Sequence, residues 1–293
     1  VTQYSTQTND FLNNNRNIYE VVYTANGANG DIVSTDNRLP VDAVIKYGSS
    51  NTVSSGNWGL DVALGNIPGY SNIHKFGAAP SMSQNQTGSV WDKDDTIYPW
   101  SAWDTAGNVT IATTAVNGST STLDNGLSVT LVGLDDNYEA ATETLTISGS
   151  SATGTQVFKR LYRAYVTDGA SSNQTQIRVS RGATEVLRIN IGKSQTLMAI
   201  YTVPAGYTGY LLQGTASVQY GADATGDMFV RYFGQDTFRV GHSFEVSGAG
   251  GQYIYPFSVP VAIPEKSDID VRVTVRSNNA RVTAAFDLLL IQN

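Results

Sequence analysis

The chain of 293 residues contains no cysteine. Disulfides, iron–sulfur clusters and thiolate-bound zinc are therefore excluded. Histidine is nearly absent, at two positions, His74 and His242. A serine-type triad would have to be built on one of them. Gly241-His242-Ser243 lacks the strand–serine–helix setting of a nucleophile elbow. Charged residues make up only 15%, against about 25% in an average globular domain. The 18 basic residues are scattered and outnumbered by 25 acidic ones, for a net charge of −7. This balance argues against nucleic-acid binding, which needs clustered Lys and Arg, and no polybasic membrane patch is present. No run approaches the ~18 consecutive apolar residues of a membrane-spanning helix, so no membrane insertion is expected. No Walker-type phosphate loop occurs, and Gly248-Ala-Gly-Gly251 precedes a strand rather than a helix. No cofactor is expected.

What the chain has in quantity is short β-rich runs cut by Gly, Asn, Ser and Asp. An apolar run, Leu197–Tyr201, enters a Pro204-Ala-Gly206 corner and leaves as Tyr210–Val218. From Gln176 onward the rhythm is regular. It predicts strands at Gln176–Ser180, Glu185–Ile191, Thr196–Thr202, Tyr210–Val218, Asp227–Tyr232, Ser243–Val246, Tyr253–Ile263, Asp268–Ser277 and Arg281–Ile291. In Asp268–Arg276 strict alternation turns Ile269, Val271, Val273 and Val275 to one face. Earlier strands are expected at Asn17–Thr24, Val41–Lys46, Leu60–Leu64, Val109–Thr114, Leu127–Leu131, Thr142–Ile147 and Val157–Val166. Helix signals are almost missing. The expected fold is all-β, an antiparallel β-sandwich with a jelly-roll-like C-terminal domain over 156–293. A looser β-rich domain is expected over 17–155, preceded by an extended arm at 1–16.

Residues Ile73–Asp104 read differently. They hold Trp91, Trp100 and Trp103, with Pro80, Pro99 and four aspartates, and predict a long irregular connection rather than strands. Trp91-Asp-Lys-Asp-Asp95 superficially resembles a calcium loop, but the sixth-position glycine and twelfth-position glutamate are missing. It reads as a solvated acidic loop, and no metal site is expected. The aromatic cluster has two readings. It is a core or subunit contact, since Tyr and Trp bury large area at low rotamer cost, or it is a platform for a host surface glycan. The strand Phe158–Val166 has no clean polar face, which suits an edge or interface. Phe158, Tyr162, Tyr165, Trp91, Trp100 and Trp103 are accordingly the expected contact residues. Catalytic residues are not expected.

Three segments carry a resemblance: Ser128–Leu145, Phe158–Tyr165 and Ala199–Tyr207. They resemble virion structural proteins of tailed bacteriophages, many of them from marine and cyanobacterial phages. Ile263–Val271 is similar to the last strand pair of the same group. The resemblance implies a non-enzymatic capsid decoration, tail or fibre protein, made in the host cytoplasm and located on the virion. Its implied partners are copies of itself, with a homotrimer expected from symmetric assembly, and other virion proteins. A receptor- or glycan-binding module of an adhesion device is the alternative.

Overall fold

A strand of thirteen residues, β1 (Tyr70–Met82), runs into the region expected to be irregular. Its length is set by its partner rather than by its own pattern. It pairs antiparallel with the last strand, β16 (Ala280–Gln292), from Tyr70↔Ile291 to Met82↔Ala280. The computed structural model describes residues 57–168, 172–248 and 251–293. The arm at 1–16 and the strands expected at 17–24 and 41–46 lie outside the described residues.

The strands between are β2 (Thr87–Ser89), β3 (Thr110–Thr114), β4 (Ser128–Leu134), β5 (Ala140–Thr146), β6 (Ser151–Thr153), β7 (Arg160–Asp168), β8 (Gln176–Arg181) and β9 (Thr184–Ile189). They continue with β10 (Ile200–Thr202), β11 (Tyr207–Val218), β12 (Ala224–Arg231), β13 (Arg239–Val246), β14 (Gln252–Ile263) and β15 (Asp268–Val275). Each strand expected after residue 109 is present, with ends shifted by a few residues. The strand expected at Leu60–Leu64 is instead a short helix, α1 (Trp58–Ala63). A brief apolar run cannot be assigned by periodicity alone. Here the Asn57 side chain accepts the Leu60 N–H at 3.1 Å and caps a helical turn.

One sheet has the order β1-β16-β11-β14 and a second the order β10-β15-β12-β13. Their inward residues form one core: Leu211, Val282, Phe286 and Leu288 from the first meet Met228, Val230, Ile269, Val271 and Val273 from the second. The chain passes from β10 to β11 and on to β16 by repeatedly changing sheets. This is the strand order of a jelly roll, with β1 supplying the outer strand of the first sheet. The alternation read in Asp268–Arg276 faces this core as expected.

Residues 83–199 form an insertion between β1 and β10. It builds two smaller sheets, β6-β3-β8-β9 and β5-β4-β7. Their shared core contains Ile111, Leu131, Phe158, Leu161, Ile177 and Leu187. The boundary expected at residue 156 falls inside this insertion, between β6 and β7, and β1 belongs with the C-terminal sandwich. Both connections to the insertion run along one strand. Outgoing β2 pairs with Arg272–Thr274 of β15, and returning β10 pairs with Asp268–Asp270 of the same strand.

Between those two stalks, Val90 and Ala199 cross beneath β1. Ala199 N–H donates to the Val90 carbonyl at 2.9 Å. Gly77 of β1 lies directly over the crossing. A Cβ built there would stand 2.3 Å from both the Ala199 nitrogen and the Val90 oxygen. Neither backbone atom can move without breaking the stalk. Gly77→Ala is expected to lower unfolding stability by about 3 kcal/mol or more, read as a fall in the urea midpoint. A wild-type midpoint would show that the crossing yields.

Candidate interaction surface

The tryptophans expected at a surface are interior. Trp91 and Trp103 are 1% exposed, Phe158 0% and Trp100 6%. They stack around Tyr98, with Trp91 at 5.2 Å and Trp100 at 4.9 Å between ring centroids, both edge-on. Each indole N–H is satisfied within the chain: Trp91 donates to the Thr96 carbonyl at 3.0 Å, Trp103 to the Tyr98 hydroxyl at 2.9 Å, and Trp100 to Asp270 at 3.0 Å. The Tyr98 hydroxyl in turn donates a hydrogen bond to the Leu161 carbonyl at 3.1 Å. Burial pushes that phenol far above its ordinary pKa. These four rings are therefore a packed core element, with no face to offer a partner chain or a glycan. Tyr162 and Tyr165 are half-buried. Tyr162 packs on Tyr201 at 4.8 Å, and Arg163 covers the Tyr165 ring at 4.9 Å.

The acidic loop is not solvated as expected. Its carboxylates accept backbone N–H groups that irregular chain leaves unpaired. Asp94 accepts from Ser81 at 2.8 Å and Asp95 from Ser83 at 2.7 Å. Asp92 is buried and accepts the Leu197 N–H and the Asn190 amide. Burial pushes its carboxyl well above the usual range. The three diverge to different partners, and no group of three or more metal-type ligands occurs among the described residues.

The aromatic core abuts a charged junction between the insertion and the jelly roll. Asp268 of β15 is 2% exposed. It accepts from Arg160 of β7 at 2.8 and 3.0 Å, from Arg231 of β12 at 2.6 and 3.0 Å, and from the Thr202 hydroxyl at 2.6 Å. Burial is the largest single influence on Arg160 and opposes its charge, but the hydrogen bonds to Asp268 and the attraction of that carboxylate together leave its pKa raised. Two residues on, Asp270 accepts from Arg272 at 2.7 Å and from Trp100. The three guanidinium groups lie over aromatic rings, Arg160 on Tyr138 at 5.4 Å, Arg231 on Phe238 at 4.8 Å and Arg272 on Phe229 at 4.5 Å.

Among the described residues neither histidine bonds a serine or threonine hydroxyl. His74 Nδ1 meets Asp287 at 2.5 Å on the surface. His242 bonds the Tyr253 hydroxyl and packs on Tyr255 at 4.6 Å and Phe257 at 5.3 Å. A run of exposed apolar side chains lies here, along β13 and β14. Among the described residues both are edge strands, β13 pairing only with β12 and β14 only with β11. Residues paired across an antiparallel ladder point to one face. Tyr255 opposes Gly214 and Val261 opposes Leu211, so both point inward. They nevertheless stay 42% and 43% exposed. Between them the strand bulges, and Val259 at its crest is 77% exposed. The sandwich is open along this side. The residues were missed in sequence reasoning, although Tyr253-Ile-Tyr-Pro-Phe-Ser-Val-Pro-Val-Ala-Ile263 carries two signs. Prolines inside a strand mark an edge or bulge, and the run lacks polar alternation.

No protein-family model matches the chain, and no curated protein matches it. Among solved structures it is similar to a chain of the T13 viral particle of infectious bursal disease virus. That alignment has 9% identity over 77% of this chain and 71% of that chain, with a TM-score of 0.24. The VP2 subviral particle of the same virus aligns at 11% identity over 76% of this chain and 72% of that chain, with a TM-score of 0.20. Both are virus-particle proteins. A likeness this low carries no weight in assigning a role.

Removing the Asp268 charge strands two guanidinium groups at a buried site. Asp268→Asn is expected to cost about 3–5 kcal/mol of unfolding free energy, while Asp136→Asn on the exposed turn stays within about 0.5 kcal/mol. Denaturant titration of the two variants checks this. Equal midpoints would mean that the junction is solvated.

Proposed function

We propose that this chain is a non-enzymatic structural component of a virion that works by associating with copies of itself along the β13–β14 side. The observation that carries this is the open edge, where inward-pointing Tyr255 and Val261 and the bulged Val259 remain exposed. A sandwich that leaves core-facing apolar groups wet gains by covering them, at about 1.5–3 kcal/mol for each large side chain fully buried. Two edge strands beside the patch supply unpaired backbone donors and acceptors for a neighbour. The absence of cysteine removes a redox liability, and the sequence likeness of Phe158–Tyr165 and Ala199–Tyr207 to tailed-phage proteins supports placing the chain on a phage particle. Capsid decoration, tail and fibre positions all suit this reading, with three copies as the expected unit.

A glycan-binding role is not favoured, because the tryptophans that would have formed its platform are buried. No helix among the described residues is long and apolar enough to cross a membrane.

Size-exclusion chromatography with light scattering tests the proposal on the full chain. The wild type is expected to form a discrete oligomer, and the double variant Tyr255→Glu with Val259→Asp to weaken association at least tenfold, about 1.4 kcal/mol, without change in its circular dichroism. A wild-type chain that stays monomeric at high micromolar concentration, or a variant that assembles as well as wild type, would overturn it.

A further inference from the structure

The jelly roll also holds a buried amino group with no carboxylate partner among the described residues. Lys75 lies on β1 between Ile73 and Gly77 on the same face, and is 8% exposed. Its ammonium donates one hydrogen bond, to the Tyr162 carbonyl at 2.6 Å, and lies 5.4 Å from the centroid of the Tyr162 ring. An ammonium has three donors. Among the described residues no carboxylate pairs with Lys75.

A cavity of about 430 Å³ adjoins this charge where β1, β7 and β10 meet. That volume lies within the usual range for small-molecule sites, roughly 300–1,000 Å³. Its lining includes Lys75, Arg163, Asn72, Gln195 and Thr196, and no acidic residue. The groups facing Lys75 do not neutralise it. Arg163, on β7, is of like charge and unpaired with any carboxylate among the described residues. Tyr162 on β7 is held neutral by burial, which pushes its phenol up to about 12, and Tyr201 on β10 is pushed well above its ordinary value, also by burial. Tyr207 of β11 adds only a phenol beside Tyr201. His74, on the rim, is already engaged by Asp287 of β16. Desolvation, and then the Arg163 charge, bring Lys75 down to about 7. An unpaired buried charge is costly, and what the cavity lacks is an anion.

We propose that this cavity binds a small oxyanion, a carboxylate- or phosphate-bearing molecule, between Lys75 and Arg163, with Asn72, Gln195 and Thr196 as polar neighbours. Binding stabilises the charged form of Lys75, so the protein takes up a proton as the anion enters. This site is independent of the β13–β14 edge.

Sulfate and malonate serve as probes, because both keep a fixed charge from about pH 7 to pH 9 while Lys75 titrates. Calorimetry at constant ionic strength is expected to show saturable binding with proton uptake, seen as a heat that depends on buffer ionisation. Affinity is expected to fall about tenfold per pH unit above the Lys75 midpoint. Lys75→Met is expected to weaken binding at least tenfold while keeping or raising the melting temperature, since it replaces a buried charge with an apolar chain. Sulfate binding alone points to a phosphate-type ligand, malonate binding alone to a carboxylate, and either supports the site. Absence of binding by both probes, or wild-type binding in Lys75→Met, overturns the proposal. If that variant does not fold, a pH-independent affinity in the wild type overturns it equally.

Discussion

The Asp268 carboxylate is the point on which the two halves of the structure meet. It belongs to the strand that anchors both stalks of the insertion, and it is taken out of water by them. One arginine reaches it from the insertion, another from the jelly roll, and a threonine hydroxyl from the returning strand. A buried carboxylate tolerates this only because every acceptor position is used. Its demand for partners fixes where β7 lies over β15, and thereby where the aromatic turn containing Trp100 and Trp103 closes the second core. Asp270, two residues on and on the same face, is less fully served: Arg272 and the Trp100 indole both donate to Oδ2, and Oδ1 has no hydrogen-bond partner among the described residues.

That arrangement redistributes surface. The insertion occupies the β1–β10 end of the jelly roll, and among the described residues no further strand pairs at the opposite β13–β14 end. Trp91, Trp100 and Trp103 are thereby held inside, while Tyr255, Val259 and Val261 of β14 stay exposed. The same junction encloses Lys75, because β7 crosses above β1 and brings a carbonyl rather than a carboxylate. The exposed β14 residues and the cavity beside Lys75 both follow from where one insertion sits.

Much of the strand content was legible. Alternation such as Ile269, Val271, Val273, Val275 reports a half-buried strand whatever lies opposite, so β8 to β16 could be read in order. The thirteen residues of β1 could not. Gly77, Ala78, Ala79 and Pro80 have no strand pattern, and they are extended because β16 provides a template and because small residues let the stalk pass close beneath. The Leu60–Leu64 run was misread because its decisive signal, the Asn57 cap, is a single side chain. Trp91, Trp100, Trp103 and Phe158, expected at a contact, are buried instead, for a related reason. Trp and Tyr are enriched both in cores and at interfaces, and composition does not say which face of a loop is covered.

The sequence by itself determined the class of structure: local alternation, turn residues and the scarcity of charge make β-strands, and missing cysteines and scarce histidines narrow the chemistry. Only the tertiary structure decided which strands pair, that the chain is interrupted between β1 and β10, and which apolar residues stay wet. Those are non-local facts. The partner of Tyr70 is Ile291 and that of Arg160 is Asp268, and side-chain burial depends on such distant partners rather than on the residues beside them.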